Sequence, residues 1–210
     1  TERLVARQKE LGRPIRVGLV GAGQMGLGFI AQVGRIPGMQ VTAVADVQPG
    51  RAAEALSKNG IDAATGSDLG ALTRAIEAGG AVAVEDAALL VALPVDIIVD
   101  ASGVPEVGAQ IAFSGLLAGK DIALLNVECD VTIGLVLSAV AQQCGRIYSV
   151  CRGDEPAEAK RLVDYARDLA FEVVCAGKGK NNPLNPHATP AALTDEAKRK
   201  GMNPKMLCSF

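Results

Sequence analysis

Short apolar runs alternate with longer segments of helical periodicity along the first 150 residues. Several runs are rich in β-branched residues and are bounded by turn residues, as buried parallel strands are. We predict strands at 15–20, 41–46, 81–84, 96–100, 121–126 and 146–150. We predict helices at 1–12, 25–36, 49–58, 67–77, 86–91, 105–119 and 133–143. Alternation of this kind indicates an α/β fold with a doubly wound parallel sheet.

The pattern changes near residues 149–153, where we place a domain boundary. A helix, a strand and a polar loop are predicted after it, at 153–169, 171–176 and 177–186. A last helix is predicted with Thr189 as its cap and Gly201 as its end. The sequence therefore predicts a complete first domain at 1–150 and the beginning of a second domain at 151–210.

A glycine-rich turn follows the first predicted strand and opens a helix inside a βαβ unit. Its residues are Gly21, Ala22, Gly23, Gln24, Met25 and Gly26. Gly21 permits the tight turn, Gly23 lets a phosphate approach the backbone, and Gly26 lets the helix pack close to the strand. The helix N-terminus adds free N–H groups. The turn therefore predicts an NAD or NADP site in a Rossmann domain; the alternative is a turn that binds no ligand.

Asp46 ends the second predicted strand, in the place where a carboxylate accepts hydrogen bonds from the adenosine ribose of a dinucleotide. Its charge would repel a 2′-phosphate, which slightly favours NAD over NADP. Arg51 lies close enough in sequence to pair with that phosphate, so NADP stays open. The alternative role of Asp46 is to cap the next helix.

Ligands of doubly wound sheets bind at the carboxyl ends of the strands, which we call the crest. Ser102 and Gly103 follow one strand and would let the nicotinamide half of a cofactor lie close to the backbone, unless they serve only to turn the chain. Asn126 ends the next strand and is a candidate ligand of the nicotinamide ribose.

Two carboxylates follow Asn126 in the sequence. Glu128 and Asp130 would act on a substrate or bind a divalent cation, although we predict no resident metal. The alternative is that Asp130, together with Thr132, caps the following helix.

Composition argues against several other classes of function. The 21 basic and 23 acidic residues do not favour a nucleic acid or an anionic membrane as partner. No apolar run approaches the length that spans a bilayer. The five cysteines are odd in number and form no CxxC pair, which argues against a disulfide framework or a zinc site and favours the cytoplasm. A small-molecule substrate is therefore the expected partner, and a homo-oligomer stays open.

The sequence resembles a known family in five segments that occur in order. They are residues 21–26, 99–108, 126–134, 153–156 and 177–185. Together they resemble the predicted homoserine-dehydrogenase-like family, which includes the enzyme similar to 1-deoxy-D-xylulose 5-phosphate reductoisomerase and often carries a C-terminal SAF domain. The resemblance implies an NAD(P)-dependent oxidoreductase acting on a small hydroxy or keto substrate, with or without a phosphate group. Chains of that family continue beyond a position like Phe210, so we expect a fragment of a longer protein.

The sequence departs from two members of that group. True homoserine dehydrogenases carry an Asn-Lys pair after the fifth strand, whereas Val127 follows Asn126 here. Homoserine oxidation is therefore only an alternative. The reductoisomerase-like members carry an arginine-rich segment where this chain has residues 45–47, so NADPH is not assumed. A non-catalytic, dinucleotide-binding regulatory module is the alternative of another class.

The loop at 177–186 provides the predicted catalytic residues. Lys178 and Lys180 would polarise a carbonyl or move a proton, with Asn181 beside them. The alternative is a solvated basic loop. Asp154 and Glu155 are predicted to bind substrate, unless they serve only the dipole of their helix.

Overall fold

The computed structural model describes residues 1–48, 50–151, 155–177, 185–200 and 203–208. The chain forms two compact units, Thr1–Arg152 and Gly153–Phe210. The division falls inside the segment in which the sequence places a domain boundary. The roles assigned to the two parts stay predictions.

The first unit is a seven-stranded parallel sheet flanked by helices. Its strands are β1 (Ile15–Val20), β2 (Met39–Ala45), β3 (Ala63–Thr65), β4 (Ala81–Val84), β5 (Ile97–Asp100), β6 (Asp121–Leu124) and β7 (Tyr148–Val150). Its helices are α1 (Glu2–Leu11), α2 (Gln24–Val33), α3 (Arg51–Ser57), α4 (Leu69–Glu77), α5 (Ala88–Ala92), α6 (Pro105–Leu117) and α7 (Val127–Cys144). The predicted α/β fold with a doubly wound sheet is confirmed.

The strand order places a switch point in the middle of the sheet. The order is β3-β4-β2-β1-β5-β6-β7, with every neighbouring pair parallel. The chain passes from β1 through β2 toward one edge, and from β5 through β6 toward the other. The connections after β1 and β5 therefore lead to opposite faces of the sheet, where α2 and α6 pack, and such sheets bind ligands at this switch point.

Alternate residues of each strand pack on opposite faces of the sheet, so the core is divided into two clusters. Ile98 of β5 packs in one cluster with Leu116 of α6 and other residues of α4 to α7. Its neighbour Val99 packs in the other cluster with Ile30 of α2 and Leu56 of α3. Because burying one such side chain contributes about 1.5–3 kcal/mol, the sheet is a firm base for the loops at the crest.

A charged pair ties the amino ends of β1 and β5 together, at the edge opposite the crest. Arg13 donates through Nη1 and Nη2 to Oδ2 and Oδ1 of Asp96 at 2.6 and 2.9 Å. The N–H of Arg16 donates to Oδ2 of the same carboxylate at 2.7 Å. Burial raises the pKa of Asp96, but the hydrogen bonds and charges of the two arginines outweigh it, so the net pKa lies below the usual value.

Two elements of the first unit differ from the sequence prediction. Strand β3 was not predicted, because it has only three residues and is exposed over two of them. Helix α7 begins at Val127, six residues before the predicted start. Asn126 caps it by accepting a hydrogen bond from the N–H of Cys129 through Oδ1 at 3.2 Å. The alternative in which Asp130 caps this helix is therefore wrong.

Helix α7 is apolar on average, although Glu128 and Asp130 lie in its first turn. Among the described residues it is the one helix long and apolar enough to cross a membrane by length and composition, with a mean hydropathy of 1.2. Leu137 and Ala141 of this helix are buried in the core of the sheet, and core helices pass the same test. The expectation that no membrane is a partner stays a prediction.

The described part of the second unit is helical. It contains α8 (Glu155–Asp168), α9 (Thr194–Lys200) and α10 (Pro204–Cys208). The strand predicted at 171–176 is wrong, because these residues have no regular secondary structure. Phe171 and Val174 are exposed, and the described part of this unit contains no strand with which the segment would pair. Helix α9 begins at Thr194, later than the predicted start after Thr189.

Candidate dinucleotide-binding site

The glycine turn joins the end of β1 to the start of α2. Gly21 has a φ of 92°, a backbone conformation that residues with a side chain rarely adopt. Its N–H donates to the carbonyl of Ala45 at 2.8 Å. A Cβ on Gly26 would collide with the carbonyl oxygen of Gly21, so α2 packs this closely on the turn only with glycine there. These are the steric reasons for glycine that the sequence suggests at 21 and 26.

The space above Gly23 is open. A Cβ built on Gly23 would meet only one neighbouring atom within 4 Å, Nη2 of Arg51 at 3.6 Å. Gly23 is the N-cap of α2, and Gln24 and Met25 in the first turn are exposed, whereas Ala22 is buried. The first N–H groups of a helix have no partner within it, and the helix dipole is positive at this end. An anion above Gly23 would therefore meet N–H donors and a positive potential.

Asp46 follows β2 and is bound to the glycine turn. Its Oδ2 accepts from the N–H of Ala22 at 2.8 Å, and its Oδ1 accepts from the N–H of Gln48 at 2.9 Å. The side chain is 7% exposed. Each carboxylate oxygen has a second lone pair, so the group has capacity left for a ribose hydroxyl. Asp46 thus stabilises the turn, a role that sequence reasoning missed, beside its predicted role toward a cofactor.

Arg51 opens α3 and lies beside both Asp46 and the glycine turn. Its Nε is 3.8 Å from Oδ2 of Asp46, and its Nη2 is next to the open space above Gly23. The side chain is 40% exposed, so its remaining donors are accessible to an anion. A single guanidinium is therefore near the two positions where a dinucleotide would present phosphate.

A cavity of about 440 Å³ lies at the carboxyl ends of β2, β3 and β4. Asp46, Glu85 and Asp86 line it with carboxylates, and Thr65 and Ser67 line it with hydroxyl groups. Its volume is that of a small-molecule site. It adjoins Asp46, on the side of the sheet where the adenosine half of a dinucleotide is expected.

Sequence reasoning missed most of this cavity. The sequence contains no clear signal for Thr65 and Ser67, because β3 is too short and exposed to be predicted. The loop after it therefore does not stand out as part of the crest. Glu85 and Asp86 directly follow β4, a predicted strand. Their position immediately after a buried parallel strand is the signal that would have identified them.

On the other side of the switch point, a buried network connects β5 with α7. Asp100 ends β5 and is 2% exposed. Its Oδ1 accepts from the N–H of Ser102 at 2.9 Å, and its Oδ2 accepts from Nδ2 of Asn126 at 2.8 Å. Asn126 also donates to the carbonyl of Val104 at 3.0 Å. The network holds the loop that carries Ser102 and Gly103, and Gly103 is exposed at the crest.

The predicted contact between Asn126 and a cofactor ribose meets an obstacle. The residue is 1% exposed, and both ends of its amide are engaged within the protein. A direct hydrogen bond to a ribose would require one of these bonds to be given up. Asn126 thus stabilises the loop after β5 through its hydrogen bonds to Asp100 and Val104.

The two carboxylates after Asn126 have different environments. Glu128 is exposed in the first turn of α7. Asp130 accepts a hydrogen bond from the hydroxyl of Tyr148 at 2.6 Å. Burial, this hydrogen bond and the charge of Asp130 raise the pKa of Tyr148, so the phenol stays protonated. Of the two, Glu128 is therefore the more accessible to a substrate.

Cys129 lies between these carboxylates and is fully buried. Burial raises the pKa of its thiol, and the charges of Asp100 and Asp130 raise it further. The thiolate is disfavoured here, so Cys129 has no features of a nucleophile.

Most of the predicted catalytic residues lie outside the described part of the chain. They are Lys178, Lys180, Asn181 and Asp154. Glu155 is the first residue of α8. Among the residues that the structure describes, no group of three or more His, Cys, Asp or Glu side chains could hold a metal ion. The catalytic assignments stay predictions.

The end of the chain is similar to a known family. Residues 153–210 match the family model described as "Oxidoreductase DRL, catalytic domain". This is the part of the chain for which the sequence predicts a catalytic domain. No curated protein sequence matches the chain significantly.

The fold is similar to that of several solved oxidoreductases. The WlbA dehydrogenase from Chromobacterium violaceum, in complex with NADH and UDP-GlcNAcA, has a TM-score of 0.56 and 16% identity over 75% of this chain and 40% of its own. An oxidoreductase from Agrobacterium radiobacter, in complex with NAD⁺, L-tartaric acid and magnesium, has a TM-score of 0.54 and 11% identity. The match covers 72% of this chain and 40% of that protein. A point mutant of the 3-ketoreductase KijD10 from Actinomadura kijaniata, in complex with TDP-benzene and NADP, has a TM-score of 0.51 and 20% identity. The match covers 73% of this chain and 43% of that protein.

These identities are low, so the likeness is one of fold. The chain spans about two fifths of the length of the proteins that it matches. The comparisons therefore show that this chain has the fold of NAD(P)-binding oxidoreductases. Its last segment is similar to an oxidoreductase catalytic domain.

Proposed function

We propose that the chain binds a nicotinamide dinucleotide at its crest, as part of an oxidoreductase that transfers a hydride to or from a small hydroxy or keto substrate. The observation that carries the proposal is the open space above Gly23, at the N-terminus of α2. A phosphate would fill the place that a side chain takes at other residues. The cavity beside Asp46 lies on the side where the adenosine half is expected, and the family match at 153–210 supports the chemistry.

The residues present fit the two halves of such a cofactor. The N–H groups at the start of α2 would hold the pyrophosphate, and Asp46 would accept from the adenosine ribose. The loop with Ser102 and Gly103 would receive the nicotinamide half. The cofactor supplies or accepts the hydride when it is bound, and the chain binds and orients it.

NAD is the proposed cofactor rather than NADP. Three carboxylates, Asp46, Glu85 and Asp86, line the cavity and would repel a 2′-phosphate, against the single guanidinium of Arg51. Calorimetric titration should show tighter binding of NADH than of NADPH. Asp46→Asn should narrow the difference, since the amide carries no charge; its oxygen can still accept from the N–H of Ala22, while the hydrogen bond from the N–H of Gln48 is lost. Tighter binding of NADPH by the parent would show that Arg51 dominates.

Arg51→Gln is the matched variant for this test. It removes the guanidinium beside Asp46 and leaves the carboxylates of the cavity, so the preference for NADH should widen. Opposite shifts in the two variants would support electrostatic selection of the cofactor. Equal shifts in both variants would contradict it.

The substrate proposal rests on the resemblance to the reductoisomerase-like enzyme. Lys178 and Lys180 would polarise a substrate carbonyl or bind its phosphate, with Asn181, Asp154, Glu155 and Glu128 as further contacts. The test is oxidation of NADH by the protein with phosphorylated hydroxyketones. Reduction of NAD⁺ with homoserine instead would establish the homoserine dehydrogenase alternative. Cofactor binding without turnover of either substrate would favour a regulatory module.

A cytoplasmic location and a homo-oligomeric state belong to the same proposal. The location rests on the cysteine content, whereas the oligomeric state is left to measurement. Fractionation of cells and light scattering of the purified protein would test them.

A further inference from the structure

We infer that Asp100 is a positioning residue that shapes the nicotinamide end of the site by holding the loop at 101–103 in place. The inference rests on the proposed function, because it concerns the half of the crest that would receive the nicotinamide. In this role the carboxylate of Asp100 makes no direct contact with the cofactor.

The first observation is the burial of a carboxylate that accepts at both oxygens. A buried charge is costly unless hydrogen bonds compensate it. Asp100 accepts from the backbone N–H of Ser102 on one side and from Nδ2 of Asn126 on the other. An asparagine would present an NH₂ group to one of these two donors, so only a carboxylate satisfies both.

The second observation is that the loop held by Asp100 is packed against the glycine turn. The N–H of Ala101 donates to the carbonyl of Val20 at 2.8 Å. A Cβ on Gly21 would be 2.7 Å from the carbonyl oxygen of Ala101 and 3.0 Å from Cα of Ser102. The loop after β5 therefore lies directly against the turn after β1, across the switch point.

The third observation is that the network has no spare room on its inner side. A Cβ on Gly108 of α6 would be 2.5 Å from Oδ2 of Asp100 and 2.8 Å from Nδ2 of Asn126. The group is thus enclosed by β5, α6 and α7. Its outward parts are Ser102, which is half-buried, and Gly103 and Val104, which are exposed. A change at Asp100 would therefore be transmitted to the crest through this loop.

The position of the loop defines what it would affect. The cavity beside Asp46 lies at the ends of β2, β3 and β4, on the other side of β1 from β5. Asp100 is therefore expected to influence binding of the nicotinamide half and to leave the adenosine half unchanged. A residue needed only for folding would weaken both halves together.

The experiment compares NADH with ADP, which lacks the nicotinamide and its ribose. Asp100→Asn should weaken NADH binding about tenfold, the effect of one charge-assisted hydrogen bond, and change ADP binding by less than about twofold. The emission of bound NADH should also shift toward that of the free cofactor. The chain has no tryptophan, so NADH emission is free of energy transfer from that residue.

Two further variants complete the test. Asp96→Asn is the matched control, since it removes a partly buried carboxylate at the opposite end of the same strand and should change neither affinity. If Asp100→Asn does not fold, Asn126→Ala is measured, which removes the donor to Oδ2 of Asp100 and leaves its hydrogen bond from the N–H of Ser102, with a smaller loss of NADH affinity expected.

Three results would overturn the inference. Equal losses for NADH and ADP would show a purely structural role, and unchanged NADH binding would show that Asp100 does not shape the site. A loss of NADH affinity in Asp96→Asn as large as that in Asp100→Asn would show a general effect of removing charge from the strand rather than one of the crest loop. A parent protein that binds neither NADH nor ADP would instead refute the proposed function on which the inference rests.

Discussion

Substitution of Gly23 by valine should abolish dinucleotide binding without disturbing the fold. The φ and ψ of Gly23 are −71° and −164°, an extended conformation that valine adopts readily. A Cβ there would make only an ordinary contact, with Nη2 of Arg51 at 3.6 Å. The added isopropyl group would therefore stand in the open space above the turn, where the pyrophosphate is proposed to lie.

The expected loss follows from the geometry of the turn. A phosphate oxygen bonded to the N–H groups of α2 lies about 2.9 Å from each nitrogen. A methyl group in the same space keeps that oxygen roughly 3.5 Å away, so the hydrogen bonds are lengthened or lost. Each charge-assisted hydrogen bond contributes about 1.5 kcal/mol or more. The loss of two should therefore raise the Kd by at least about a hundredfold.

The assay is calorimetric titration of NADH into Gly23→Val, with the melting temperature measured in parallel. Gly28→Val is the matched control, because Gly28 lies in the same helix, is exposed, and has no atom within 4 Å of its Cβ position. The control should bind NADH like the parent. Parent-like affinity in a folded Gly23→Val protein would refute the placement of the pyrophosphate above α2.

Three further outcomes are expected. Gly26→Ala should lower stability by about 1–3 kcal/mol in denaturant titrations and weaken NADH binding, because its Cβ collides with the carbonyl of the turn; a parent-like Cm would contradict the close packing. Asp96→Asn should lower stability by about 1 kcal/mol at pH 7. Because the pKa of Asp96 is depressed in the folded state, this difference should persist above about pH 4 and disappear as the pH falls below it; a difference that grows in acid would reverse the assigned sign. A thiol reagent should label exposed Cys175 quickly and buried Cys129 only on unfolding, as mass spectrometry of the labelled peptides would show; rapid labelling of Cys129 would show that its site opens.

Features that depend on neighbouring residues were predictable from the sequence. The apolar period revealed six of the seven described strands, and the glycine turn between β1 and α2 was identified together with Asp46. Both signals are local: side-chain burial repeats along one element, and the steric demands of a tight turn act within a few residues. The missing strand, β3, is short and exposed, so its pattern contains little apolar signal.

Local reasoning failed where a feature depended on a partner far along the chain. The apolar segment at 171–176 has the composition of a strand, but a strand also needs a neighbour to pair with, and the structure shows none beside it in the described part of that unit. The start of α7 was misplaced because the capping residue is Asn126, which the pattern assigned to the end of a strand.

The candidate site shows the same division. Sequence alone determined that a phosphate-binding turn follows β1 and that polar residues follow β2, β5 and β6. Only the tertiary structure decided that Asp46 bonds the N–H of Ala22, that Arg51 lies over Gly23, and that Asp100 holds Asn126 from 26 residues away. These contacts exist because the strand order brings the ends of β2, β1, β5 and β6 to one crest, and that order is set by the packing of the whole sheet rather than by any local run of residues.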